Sequence, residues 1–124
     1  MKDYRGRDKV PKDFDSIWNQ ALANIAELPE YKLEEQDFSI PNVVCYELTF
    51  KGTRDGLVYA RVVFPKTDQK VPVIFHFHGY MGRCWDWTDM LAYTVACYGV
   101  VSMDVRGQSG YSTDGDRLPH LEIL

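Results

Sequence analysis

The sequence predicts an α/β fold in which two loops leave the same edge of a parallel sheet. Two observations carry this. Val73 to Phe77 and Val100 to Val105 are apolar runs of strand length, and between them Thr88 to Tyr98 has helical character, which makes a strand-helix-strand unit. Each run ends in a glycine-bearing loop, His78-Gly79-Tyr80-Met81-Gly82 after the first and Asp104-Val105-Arg106-Gly107-Gln108-Ser109-Gly110 after the second. In open α/β sheets the chemistry sits at the carboxyl ends of the strands, where both loops lie.

The elements follow in order. Phe14, Ile17, Trp18, Ala21, Leu22, Ile25 and Leu28 recur at helical spacing, with Asp13 or Asp15 as N-cap and Pro29 closing the run. This stripe predicts an amphipathic helix packed on a core. Val43 to Phe50 and Leu57 to Phe64 are rich in β-branched and aromatic residues, and Lys51-Gly52-Thr53-Arg54-Asp55-Gly56 between them predicts an antiparallel hairpin. Pro65 to Pro72 reads as a polar loop, and Val73 to Phe77 as a buried parallel strand. The helix Thr88 to Tyr98 takes Thr88 or Asp86 as cap and Gly99 as its stop. The 124 residues make a single domain's worth of chain, without repeats, linkers or low-complexity tracts.

Composition excludes several classes. The net charge of −4 arises from interspersed acids and bases with no basic stripe, so no nucleic-acid partner is expected. No apolar run approaches the roughly 18 residues that span a bilayer, and Met1-Lys2-Asp3-Tyr4-Arg5 leads into charge, so no membrane association and a cytoplasmic location are expected. Cys45, Cys84 and Cys97 form neither an even set nor a C-x-x-C pair, consistent with reduced thiols.

His78-Gly79-Tyr80 has the small, tightly turning composition of a loop that exposes a backbone N–H to a developing oxyanion. Trp85, Trp87 and Tyr80 place aromatic rings in the same loop region, where they would stack on a sugar, wall an acyl pocket or join the core. His76 and His78 form an H-x-H pair, but no acid or histidine follows until Asp86, so no metal site is expected. Gly107-Gln108-Ser109-Gly110-Tyr111 approaches a nucleophile elbow, but Tyr111 stands where the pattern needs glycine and a loop follows where it needs a helix. Asp104 and Arg106 read instead as a charged pair or a backbone-binding fork at the turn, with Gly107 and Gly110 supplying conformational freedom. Cys84 has no base at useful spacing, and His120 has no nucleophile before it.

The stretch from Pro72 to Ser112 resembles the acetyl xylan esterase and cephalosporin-C deacetylase family, carbohydrate esterase family seven. His78-Gly79-Tyr80, Trp85-Asp86-Trp87 and Asp104-Val105-Arg106-Gly107-Gln108 are similar to its loops, and Pro11-Lys12-Asp13-Phe14-Asp15 before Trp18 is similar to its opening. The resemblance implies the N-terminal part of an α/β-hydrolase sheet, with Arg117 to Leu124 as an atypical tail and the sheet incomplete. It implies deacetylation of acetylated xylo-oligosaccharides and other small acetyl esters by serine acylation, with no cofactor and with homo-oligomers common. The Tyr80 amide would belong to the oxyanion hole and the Tyr80 ring would line the acyl pocket. His78, Gly79, Asp104, Arg106 and Gly107 would support the loops. The nucleophile, acid and base of the family are expected beyond these residues, so the alternative is a truncated, non-catalytic hydrolase fragment.

Overall fold

The computed structural model describes residues 3, 6–25 and 29–115; Leu28, His120 and the tail 117–124 lie outside them. The helix α1 (Phe14–Ala23) precedes the strands β1 (Tyr31–Glu35), β2 (Val43–Lys51), β3 (Leu57–Pro65) and β4 (Val73–Phe77), the helix α2 (Trp87–Val95) and β5 (Gly99–Met103). They form a mixed sheet in the order β1-β2-β3-β5-β4. This is the α/β arrangement the sequence predicts, with the hairpin β2–β3 running in register from Val43 opposite Pro65 to Lys51 opposite Leu57. The hairpin turn is tightened by Arg54 and Asp55, both at φ 57°, and by the Gly52 N–H donating to the Gly56 carbonyl at 2.7 Å.

The chain leaves one strand's place between β3 and β4, and the crossover through α2 brings β5 back into it. β5 is antiparallel to β3 and parallel to β4. The carboxyl ends of β4 and β5 therefore open at the same edge, and both glycine-bearing loops emerge there. Alternation along the strands puts Cys45, Val63 and Val100 on one sheet face, where Met90 of α2 covers them. Met90, Val63 and Val100 have no exposed surface, and Val43, Leu91, Trp85, Trp87 and Tyr93 pack around them.

The opposite face departs from expectation. The stripe was read as packing on a core, yet none of the residues of α1 is buried. Trp18 is 56% exposed. The periodicity is that of an amphipathic helix, but among the described residues no element covers it. β4, read as a fully buried strand, is covered only on the α2 side: Ile74 and His76 are half-buried, whereas Phe75 and Phe77 are 65% and 60% exposed. A run of apolar residues records what a strand can bury, not whether both sides are covered.

Two boundaries also differ. α2 ends at Val95 through a left-handed Cys97 (φ 62°), with the Tyr98 N–H donating to the Tyr93 carbonyl at 3.0 Å, so Gly99 is no helix stop. It is the first residue of β5, and a Cβ there would stand 2.3 Å from the Phe64 ring. Glycine is needed for that close approach. β1 was not anticipated, although Tyr31 and Leu33 alternate with Lys32 and Glu34, which pair at 2.7 Å. Its short length and charges suit the edge strand it forms.

Candidate active site

The segment 78–86 between β4 and α2 has no regular secondary structure, so its backbone N–H groups need other acceptors. The end of β5 and the loop after it provide them. The Ser102 hydroxyl, fully buried, accepts from the Trp85 N–H at 2.8 Å. The Asp104 carboxylate, also fully buried, accepts from the Cys84 N–H at 2.5 Å and from the Tyr111 N–H at 2.7 Å. The Gln108 side-chain oxygen accepts from the Met81 N–H at 2.7 Å. In the reverse direction the Val105 N–H donates to His78 Nε2 at 2.8 Å. The two loops are thereby stitched by side chains across a gap no ladder spans.

His78 is tied at both nitrogens. Nε2 accepts from Val105, so the ring proton sits on Nδ1, which donates to the Gly79 carbonyl at 2.7 Å. That carbonyl also accepts the Gly82 N–H at 3.0 Å, closing a turn over residues 79–82 with Met81 at φ 59°. Within this turn Gly82 and Met81 have committed amides. The Tyr80 N–H has no acceptor among the described residues, and its side chain is 75% exposed.

Asp104 and Arg106 do not pair with each other. Asp104 binds backbone amides of both loops, whereas Arg106 turns to the hairpin, donating to the Thr53 carbonyl and to Thr53 Oγ1 at 3.1 Å, with Asp114 at 3.9 Å. Of the two readings offered for these residues, the backbone-binding one describes the geometry. Gly107 sits at φ 71°. Gly110 sits at φ 113°, and a Cβ there would stand 2.2 Å from Asp104 Oδ2, so the carboxylate and the glycine require each other. Beyond it Ser112 accepts from the Tyr59 N–H and donates to the Asp104 carbonyl, both at 2.8 Å, which fastens the loop to β3.

The tryptophans offered to a sugar are otherwise engaged. Trp85 lies parallel to the His76 ring at 3.7 Å between centroids and to Tyr93 at 5.8 Å. Trp87 packs 5.2 Å from Phe38 and 5.3 Å from the Arg61 guanidinium, which also donates to the Trp85 carbonyl at 3.0 Å and to Asp86 at 2.9 Å. Asp86 occupies the N-cap position of α2, but its carboxylate goes to Arg61 rather than to the helix. Both tryptophans flank the core, and neither has a ring contact with Tyr80 among the described residues. Of the roles offered for Trp85 and Trp87, these contacts describe packing: their rings are part of what holds α2 down.

His76 Nδ1 bonds to Ser102 Oγ at 2.7 Å, and burial, with His78 second, holds its pKa below the usual imidazole value. Burial first, then the bond to and charge of Asp104, pushes the Cys84 thiol up to about 12, so it is no thiolate nucleophile at neutral pH. Ser109 lies exposed in the loop, and no helix follows it within the described residues. Among the described residues no group of His, Cys, Asp and Glu gathers as metal ligands.

With this geometry in place, the comparisons with known proteins are direct. The sequence matches the family described as Acetyl xylan esterase (AXE1) over residues 1–122. The chain belongs to the acetyl xylan esterase family. It is similar in structure to acetyl xylan esterase 1 from Thermoanaerobacterium sp. JW/SL YS485, with a TM-score of 0.82 and 41% identity, over 91% of this chain and 36% of that one. An acetyl xylan esterase from Paenibacillus sp. R4 has the same fold over this region, with a TM-score of 0.77 and 24% identity, over 91% of this chain and 37% of that one. The chain thus spans little more than a third of the length of these family members. Among its described residues no helix is long and apolar enough to cross a membrane.

The signals that sequence reasoning missed are Gln108 and Ser102. Both are common residue types whose position opposite an amide becomes visible only once β4 and β5 are neighbours. Ser102 could have been flagged as a hydroxyl inside an otherwise apolar strand, since a buried polar group needs a partner.

Proposed function

We propose that residues 1–124 supply the oxyanion half of a carbohydrate acetyl esterase that acts on acetylated xylo-oligosaccharides and on small acetyl esters of the cephalosporin-C type. One observation carries the reading: with the Met81 and Gly82 amides taken by Gln108 and the Gly79 carbonyl, the Tyr80 N–H has no acceptor among the described residues, in the loop from which hydrolases of this fold draw one of their oxyanion donors. A serine attacks the acetyl carbonyl, whose oxygen becomes an oxyanion held by the Tyr80 N–H and a second amide. The alcohol of the sugar leaves with the proton taken from the serine, and water then releases acetate from the acyl-enzyme. A single such donor is worth roughly 10²–10³ in kcat. Binding at this site is assigned to the exposed Tyr80 ring, which is free to line the acyl pocket. A cytoplasmic setting, with Cys45, Cys84 and Cys97 all free thiols, and homo-oligomerisation belong to the same proposal.

A second reading, a hydrolase fragment with no activity of its own, is favoured by the absence of any G-x-S-x-G pattern in the 124 residues. Acetate release from acetylated xylo-oligosaccharides separates the two. It is measured on residues 1–124 and on the longest open reading frame containing them. Turnover by the longer product alone supports the esterase reading. Inactivity of both sinks it, and turnover by residues 1–124 that Ser109→Ala abolishes would make Ser109 the nucleophile after all.

A further inference from the structure

We infer that Gln108 is a positioning residue that, by holding the Met81 amide, fixes the aim of the neighbouring Tyr80 N–H. This deepens the esterase reading and rests on it. After Gly79 the turn presents three successive N–H groups, those of Tyr80, Met81 and Gly82. Gly82 closes the turn on the Gly79 carbonyl at 3.0 Å, and Gln108 takes Met81 at 2.7 Å, so of these three Tyr80 is the one without an acceptor among the described residues. Met81 holds φ 59°, a left-handed conformation that a residue with a side chain keeps only when its surroundings fix it. The Gln108 bond is made at that residue's own amide. A donor must meet an acceptor, so it is the side-chain oxygen of Gln108 that faces Met81.

Gln108 is itself delivered by a fixed backbone. Three residues ahead of it, the Val105 N–H is held by His78, and three residues beyond, the Tyr111 N–H is held by the buried Asp104. Gly107 and Gly110, both at positive φ, bend the chain between these anchors so that the Gln108 side chain reaches back across to the β4 loop. His78 and Gln108 therefore grip the turn from opposite ends, His78 at the Gly79 carbonyl and Gln108 at the Met81 amide. An oxyanion donor works because it is aimed before the charge develops. Releasing one grip lets Met81 relax to a right-handed conformation and swings the Tyr80 N–H with it.

The test compares Gln108→Leu, which removes the acceptor, with Gln108→Glu, which keeps one. It is run on the product of the open reading frame containing this chain. Hydrogen exchange of peptides covering residues 79–83, read by mass spectrometry, is expected to quicken about tenfold in Gln108→Leu and to stay at the parent rate in Gln108→Glu. On a chromogenic acetyl ester, Gln108→Leu is expected to lower kcat about tenfold with KM within twofold, because a misaimed oxyanion donor acts on the transition state. Exchange unchanged in Gln108→Leu overturns the inference, as does equal loss in both variants or a change confined to KM. A parent that hydrolyses no ester while Gln108 still governs exchange overturns the esterase reading and leaves the grip on the turn standing.

Discussion

The two faces of the sheet differ more than any two elements do. On the α2 face, Val63, Val100 and Met90 are sealed from solvent, and the polar groups beside them, Ser102, Asp104 and Ser112, each serve named backbone amides. On the other face Val58, Ala60 and Val62 of the central strand are buried, but Phe75 and Phe77 at one margin and Tyr31 and Leu33 at the other stand open, and α1 turns its aromatic stripe to solvent. The turn 79–82 hangs from the loops beyond that sheet: the bonds that shape it come from His78, Gln108 and the turn itself.

The comparison breaks most sharply at Asp104. Asp104→Ala leaves the buried amide of Cys84 and the part-buried amide of Tyr111 without an acceptor, at about 1–3 kcal/mol for a buried one. A loss of roughly 3 kcal/mol or more in the denaturant midpoint stability is expected, with the 78–86 loop released. Gly110→Ala is expected to cost about 2 kcal/mol, since it combines positive φ with a methyl driven into the Asp104 carboxylate. On the open face, Phe75→Thr should change stability by under about 0.5 kcal/mol, because an exposed side chain has little burial to lose. A loss above 2 kcal/mol there would mean that the face is covered.

The smallest effect is a pH dependence. His76 has its pKa lowered in the folded chain from 6.5, by burial first and by His78 second. The unfolded state therefore binds more protons just below 6.5, and the contribution of His76 to stability is full above that value and lost as pH falls through it. Urea unfolding across roughly pH 7 to 5.5 should show the decline, and His76→Phe, which keeps a ring against Trp85, should show less of it.

How far the sequence alone reaches can be argued from the same two faces. Strand and helix identity followed from periodicity, and β2, β3, β4 and α2 sit within a few residues of where apolar spacing puts them. Periodicity names the side of an element that seeks cover and is silent on whether cover arrives, which is why α1 and β4 read as buried. β1 was lost because its alternation is only five residues long and carries Lys32, Glu34 and Glu35. At the site, the loops were legible from their glycines and from His78-Gly79-Tyr80. The choice of partner was not: Asp104 could have met Arg106 until the sheet order put Cys84 and Tyr111 beside it. Trp85 and Trp87 show the same limit, since a ring suited to a sugar is equally suited to His76, Tyr93 or Phe38.

The central claim is that one sheet face is finished and the other is open at its margins, and β4 makes it directly measurable. Phe75 and Phe77 lie on the open face of a strand whose outer edge has no partner among the described residues. An apolar strand with an open edge is a template for pairing with another chain. Sedimentation velocity of residues 1–124 over a range of concentrations reads this out. Concentration-dependent self-association, weakened by Phe75→Lys with Phe77→Lys, is the expected result. A monodisperse monomer of 14.4 kDa that unfolds cooperatively would contradict it.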